Sequence, residues 1–339
     1  MRFSVLDRAQ AIVGDSDADA LKRTLDHARY VEDLGFSRFF VAEHHGVPGI
    51  AGSAPTVLAA AVAAQTSSIR VGTAGIMLPA HQPVVAAEQI AVLEALFPGR
   101  IDAGVGNSVG FTQPVRDALR QGDPTELKAA FPADVAELLA YLRGEAEITA
   151  RPANAGATPV WLLAGFKSVL TAAQLGVNVI VGGPSLFDRG AQRGDCASGG
   201  AQRGDCASGG AQRHPYLECY REIHPAGQAI VSVDIAVAET REAARELLMP
   251  QIVAGVLSRT TGSFDALDPR ASRVRLTATQ RARVDESLAM SIFGSPEQVR
   301  DELGQLCEFC GVDEVLVTGG MADIAGQRHS EKLLAEMMD

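Results

Sequence analysis

Short apolar runs recur along the chain at residues 3–6, 38–42, 69–74, 101–105, 159–163, 177–182, 229–237 and 313–318, each followed by turn residues. Between them lie longer stretches in which apolar residues return every three or four positions. Leu21, Leu25, Ala28 and Val31 fall on one helical face, and Gly35 stands where a left-handed residue would end that helix. Near the other end, Ser295-Pro296-Glu297-Gln298 combines an N-cap serine, a proline suited to the first helical turn and a capping-box glutamine. Regular alternation of strand and helix is the signature of βα units in a parallel sheet, and eight strands predict a closed (β/α)8 barrel of the TIM type. No Pro/Ser-rich linker or compositional shift divides the chain, so residues 1–339 are read as one domain.

One segment breaks the pattern. Residues 190–199 are repeated without change at 200–209, and the repeat begins again as Gly210-Ala211-Gln212-Arg213. A ten-residue period with no large apolar side chain cannot build a core, and its glycines make ordering costly. Residues 190–213 therefore read as a mobile loop inserted after the sixth strand. In a barrel such a loop opens on the catalytic face, which fits either a lid or an insertion without function. The two Arg-Gly-Asp triplets inside it have no extracellular context and carry no adhesion reading.

With 47% hydrophobic and 21% charged residues, 339 residues can bury a barrel-sized core. The formal net charge of −11 offers no basic patch for a nucleic-acid backbone or an anionic membrane. No signal-like start and no run of membrane-spanning length is present, so a cytoplasmic protein acting on a small molecule is expected. Five cysteines form no disulfide framework, since Cys196 and Cys206 are copies within the repeat. Cys307 and Cys310 read as two small residues one helical turn apart, with no second pair to complete a zinc site.

Three strand ends concentrate candidate chemistry. Phe39-Phe40-Val41-Ala42 runs into Glu43-His44-His45, Arg70-Val71-Gly72 runs through Ala74-Gly75 to Leu78-Pro79, and Ile101-Asp102-Ala103 ends in Gly104-Val105-Gly106. An imidazole titrates near neutral pH, so the histidine pair suits acid/base work, with Glu43 placed to tune or orient it. Neighbouring strand residues point to opposite faces, so His44 and His45 make a poor zinc pair. His27, His81, His214, His224 and His329 are scattered. No nucleophile elbow, P-loop or well-spaced Gly-x-Gly-x-x-Gly competes, which argues against a stably bound nicotinamide.

Taken in order, these motifs resemble the bacterial-luciferase-like family of flavin-dependent monooxygenases. Ser4-Val5-Leu6-Asp7, Val41-Ala42-Glu43-His44-His45, Arg70-Val71-Gly72 through Pro79, Leu93 to Asp102, Gly294 to Val299 and Gly311 to Val317 carry the likeness across nearly the whole chain. The resemblance implies a parallel barrel that uses reduced FMN, delivered by a separate flavin reductase, to activate oxygen and oxygenate a small hydrophobic organic substrate, with secondary metabolism as one setting for it. It implies His44 as the acid/base beside the flavin and Glu43 as its catalytic neighbour. Gly72, Ala74, Gly75, Gly106, Asn107, Gly165, Lys167 and Ser168 become cofactor-binding candidates, with Ala74-Gly75 at the family's unusual cis linkage. No metal is implied, and a homodimer is expected.

Two departures fall where the family holds the flavin phosphate. Asn107 stands where an arginine often follows the fourth strand, and the turn Ala164-Gly165-Phe166-Lys167-Ser168 is one residue shorter than the family's hydroxyl-rich turn. Lys167 and Ser168 at a helix start offer a substitute anion site. Two other readings stay open: a deazaflavin (F420)-dependent dehydrogenase on the same barrel, and a non-catalytic flavin- or ligand-binding homologue.

Overall fold

The structure is a computed structural model that describes residues 1–153, 155–165, 168–187 and 213–338. Lys167 and the duplicated segment up to Gln212 lie outside the described residues. Among the described residues nine strands alternate with helices: β1 (Arg2–Asp7), β2 (Arg38–Val41), β3 (Arg70–Met77), β4 (Ile101–Gly106), β5 (Val160–Ala164), β6 (Asn178–Gly182), β7 (Ala229–Val237), β8 (Ser291–Gly294) and β9 (Glu314–Thr318). Eight of them, β1 to β7 and β9, close a fully parallel ring, with β9 hydrogen-bonded to both β7 and β1. These are the eight expected strands. The helices are α1 (Asp17–Asp33), α2 (Pro55–Gln65), α3 (Pro83–Leu96), α4 (Gln113–Ala118), α5 (Pro124–Arg143), α6 (Ser168–Leu175), α7 (Pro215–Ile223), α8 (Arg241–Thr261), α9 (Ala278–Ala289), α10 (Pro296–Cys310) and α11 (Ile324–Ala335).

Local signals explain the element ends. Ser295 and Gln298 form the expected capping box on α10, and Gly311 ends that helix at φ +64°. Gly35, at φ +82°, follows α1. Cys307 and Cys310 are buried on α10, and burial pushes their thiols up to about 11 and about 12, which leaves them inert packing residues. Among the described residues no helix is long and apolar enough to cross a membrane.

The strand β8 was not expected. It pairs with Asp234–Val237, the part of β7 that continues beyond the ring, so it sits outside the barrel proper. With α8 and α9 it encloses a second small core built on Leu248, Met249, Val253, Val284, Leu288 and Phe293.

Strand parity fills the barrel interior in layers. At the N-terminal end lies a floor of charge. Arg38 pairs with Asp102 at 3.2 Å and with Glu314, while Arg70 reaches Asp102 at 2.7 Å. Trp161 Nε1 donates to Asp102 at 2.9 Å, and the Ser4 hydroxyl donates to Glu314 at 2.5 Å. Above the floor Phe40, Trp161, Ile180, Ile230 and Leu316 form an apolar layer. Gly72 belongs to this level and not to the rim: a Cβ there would come within 2.4 Å of the Asp102 carbonyl oxygen and 2.7 Å of the Phe40 ring. It is glycine to admit Phe40, which corrects its assignment to the cofactor wall.

Candidate active site

Above the apolar layer the interior opens into a cavity of about 480 Å³ at the C-terminal mouth. The residues that reach it continue the inward parity of each strand: Leu6 and Arg8 after Ser4, Ala42 and His44 after Phe40, Leu163 after Trp161, Gly182 after Ile180. That parity turns His44 toward the barrel axis, and Glu43 and His45 beside it also border the cavity.

Glu43 and His45 have the opposite parity and meet each other. His45 Nε2 lies 2.6 Å from Glu43 Oε1, and His81 Nε2, from the turn after β3, lies 2.7 Å from the same oxygen. The other carboxylate oxygen accepts the Met77 N–H at 2.7 Å. Burial alone would raise the Glu43 carboxyl, but the hydrogen bonds from His81, Met77 and His45 outweigh it and hold the group below its usual range. Glu43 is thus a clamp that ties the end of β2 to the end of β3. It holds His45 and His81 and makes no hydrogen bond to His44, which corrects the expectation that it orients His44. It also draws in His81, which sequence reading had left among the scattered histidines.

His44 is placed differently. Its backbone N–H donates to the Gly52 carbonyl at 2.9 Å, while its Nδ1 is buried with no hydrogen-bond partner among the described residues. Burial, reinforced by the nearby Arg8 charge and only partly opposed by Glu43, pushes its pKa down to about 4. The imidazole is therefore neutral at physiological pH, and His44 lines the cavity.

The facing wall carries almost no side chain. The Ala74-Gly75 peptide is cis, as the resemblance implies, and sits where the β3–β4 register shifts between Thr73 and Ile76. Gly75 is packed from behind, since a Cβ would meet Leu163 Cδ1 at 2.9 Å and the Gly104 carbonyl oxygen at 3.0 Å. Gly106 is open instead: its nearest neighbour to a Cβ would be Leu163 at 3.9 Å, so any side chain there would project into the cavity. Asn107 and Ser108 follow on the same wall, with Ser232 from β7 across from them.

Gly165 and Ser168 border Ala164 but do not line the cavity. The Gly165 N–H donates to the Ser168 hydroxyl oxygen at 2.9 Å, and that hydroxyl donates to the Gly165 carbonyl at 2.6 Å, so the side chain is spent on its own turn. The pair is set aside as cavity-wall residues. Arg8, Met77, His81, Ser108 and Ser232 were missed by sequence reading. Parity along β1 and β7 would have pointed to Arg8 and Ser232, whereas nothing in the sequence links His81 to Glu43.

A second chamber of about 410 Å³ adjoins the first and shares Arg8, His44, Val47 and Phe111 with it. Its outer wall comes from α8 and the segment after it, through Gln251, Ile252, Val256, Arg259 and Phe264.

A closed parallel barrel with a bare peptide wall facing an unpartnered histidine at its C-terminal mouth defines a barrel enzyme with room for a flat cofactor. The chain belongs to the luciferase-like monooxygenase family, whose family model matches residues 1–314, and it is an oxidoreductase. A luciferase-like monooxygenase of Escherichia coli K12 is 30% identical over 343 residues, covering 99% of this chain and 97% of the relative. An N-acetyl-S-alkylcysteine monooxygenase of Bacillus subtilis is 38% identical over 188 residues, 53% of this chain and 56% of its own. Among solved structures, apo-MsnO8 superposes with a TM-score of 0.82 at 28% identity, covering 99% of this chain and 98% of that one. The fold is shared, at 16% identity and TM-score 0.69, with the oxygenating constituent of a Pseudomonas putida diketocamphane monooxygenase in complex with FMN, and at 13% and 0.68 with an F420-dependent secondary alcohol dehydrogenase.

Proposed function

We propose that the protein is the oxygenase of a two-component flavin monooxygenase, taking reduced FMN from a separate reductase and oxygenating a small hydrophobic substrate. The observation that carries this reading is the pairing of the bare Ala74-Gly75 and Gly106 wall with the neutral imidazole of His44 in one cavity. A flat ring needs a wall without side chains, and a cavity of about 480 Å³ lies within the range of roughly 300–1,000 Å³ usual for small-molecule sites. Ala74, Gly75 and Gly106 would hold the ring face, with Asn107 and Ser108 beside them. Bound reduced flavin supplies the electrons that activate dioxygen.

The protein's part is then positional and acid/base. His44 enters the reaction as a neutral imidazole whose ring accepts or returns a proton at the cavity face. Glu43 acts as a positioning residue: through the Met77 N–H it fixes the strand end that carries Ala74-Gly75. Leu6, Ala42 and Leu163 keep that end of the cavity apolar, which limits water around the reacting atoms. Among the described residues Gly165 and Ser168 stand off the wall, and Arg8 is the one arginine or lysine that lines the cavity. Oxidised FMN should therefore be held weakly and the purified protein should be colourless.

The test pits cofactors against each other: anaerobic titration with reduced FMN and with reduced F420, followed by oxygen uptake in the presence of a flavin reductase. Saturable binding of reduced FMN with coupled oxygen consumption is expected. Binding of reduced F420 without oxygen use would replace this reading with the dehydrogenase, and binding of neither with the non-catalytic homologue.

A further inference from the structure

We infer that the second chamber takes the anionic end of the substrate, and that Arg8 is the residue that reads it; the substrate class is an apolar chain or ring system bearing a carboxylate. This rests on the monooxygenase reading for its reaction but not for its binding site. Arg8 is half-buried where the two chambers meet, and among the described residues its side chain makes one contact, a long 3.4 Å hydrogen bond to Gln251 Oε1. No carboxylate of the described residues forms an ion pair with it. A cation drawn out of bulk water without a counter-charge is costly, and a ligand that brings the negative charge recovers that cost.

The surroundings of Arg8 show on which side the charge belongs. Gln251 lines the second chamber and not the first, so the guanidinium leans away from the bare flavin wall. The amide of Gln251 is fixed from every direction. Its oxygen also accepts from Gln10 Nε2 at 3.1 Å and from the Gly320 N–H, and its nitrogen donates to Asp234 at 3.1 Å. Asp234 is a carboxylate on this chamber's wall, and it is engaged by that amide and by the Thr318 hydroxyl at 2.5 Å. Arg259 adds a second positive charge at the chamber's exposed edge, again with no ion pair among the described residues.

The backbone holds Arg8 in place. Ala9 adopts φ +51°, a conformation a residue with a Cβ rarely takes, and its N–H is bonded to Asp7 Oδ1 at 2.7 Å. Gly52 lets the next segment pass close to the Arg8 carbonyl, where a Cβ would come within 2.9 Å. Val47, Ile50, Phe111, Ile252, Val256 and Phe264 supply the apolar remainder of the wall. An apolar body with one negative end fits that lining, and an uncharged hydrocarbon would leave Arg8 unpaired. Because His44 belongs to both chambers, a substrate anchored at Arg8 has its apolar part directed past the histidine.

Octanoate, octanol and octylamine, titrated calorimetrically into flavin-free protein, test this directly. Octanoate is expected to bind about ten- to a hundredfold more tightly than octanol, the worth of a charge-assisted hydrogen bond, and octylamine not at all. Arg8→Met should abolish the preference while leaving octanol unchanged, and Arg8→Lys should restore part of it. If Arg8→Met does not fold, as read by its thermal melt, Arg259→Met and the wild-type octanoate-to-octanol ratio carry the test. Equal binding of octanoate and octanol would overturn the inference. So would an Arg8→Met variant that loses affinity for reduced FMN and not for octanoate. Failure of reduced FMN to bind would overturn the monooxygenase reading alone.

Discussion

Two histidines of this protein are driven in opposite directions by what surrounds them. His44 lines the cavity beside a neighbouring guanidinium, and is held neutral. His27, buried on α1, lies 2.7 Å from Asp7 and 2.7 Å from Glu331; burial would lower it, but the two carboxylates raise it to about 10. For His44, replacement by alanine should lower turnover roughly 10²- to 10⁴-fold with the thermal melt unchanged, the usual worth of a positioned acid/base. Its pKa near 4 adds that turnover should not fall through His44 protonation between pH 8 and about 5.5. For His27 the consequence is stability. A folded pKa above the unfolded value of 6.5 means that the stabilisation is complete below about pH 6.5 and is lost as pH rises through about 10. Urea denaturation from pH 6 to 10 should show that decline, and His27→Gln should flatten it while costing about 3–5 kcal/mol at pH 6, since two buried carboxylates lose their partner. Legibility differed between the two in the same way. Strand parity turns His44 inward on sequence grounds, whereas Asp7 and Glu331 flank His27 from the two ends of the chain.

At the scale of elements, α2 and α3 stand apart from the other helices. Both are rich in Ala and Val on every face, and their outer surfaces leave Val57 69%, Val85 42%, Val92 45% and Leu96 62% exposed around a shared groove. A helix that is apolar all round is normally covered all round. If the expected homodimer forms, these two helices are the surface to test as its interface. Leu96→Glu together with Val57→Glu should convert a dimer to a monomer by light scattering at unchanged far-ultraviolet dichroism; a wild-type monomer would refute the assignment. The layer of β8, α8 and α9 was the part of the architecture not foreseen. A four-residue strand carries too little periodicity to be told from the lead-in to α10, and it becomes a strand because β7 overshoots the ring and leaves an edge to pair. That layer matters functionally, since α8 supplies Gln251, Ile252 and Arg259 to the second chamber.

The whole molecule rests on a charged floor under an apolar layer, with the reactive cavity above both. Arg38 is the hub of that floor, joined to Asp102 and Glu314 and stacked 5.1 Å from the Trp161 ring centre. Arg38→Met should destabilise the protein by about 3 kcal/mol in urea unfolding, because it takes a buried cation from Asp102 and Glu314 and leaves them to Arg70 and Arg2, whereas Arg29→Met, whose ion pair with Asp26 is exposed, should cost under about 1 kcal/mol. What the sequence by itself determined was local and periodic: eight strands, their caps, the closed parallel barrel, and the strand ends Glu43-His44 and Ala74-Gly75. These follow from alternation and turn chemistry, which act between near neighbours. What only the tertiary structure decided was every relation across the barrel. Closure sets the rim of β2 beside the turn after β3, and so gives Glu43 to His81 instead of His44. It places Phe40 over Gly72 and leaves Arg8 facing a second chamber. Such pairings depend on which strand ends a closed ring makes adjacent and at what height, and a one-dimensional pattern holds no measure of either.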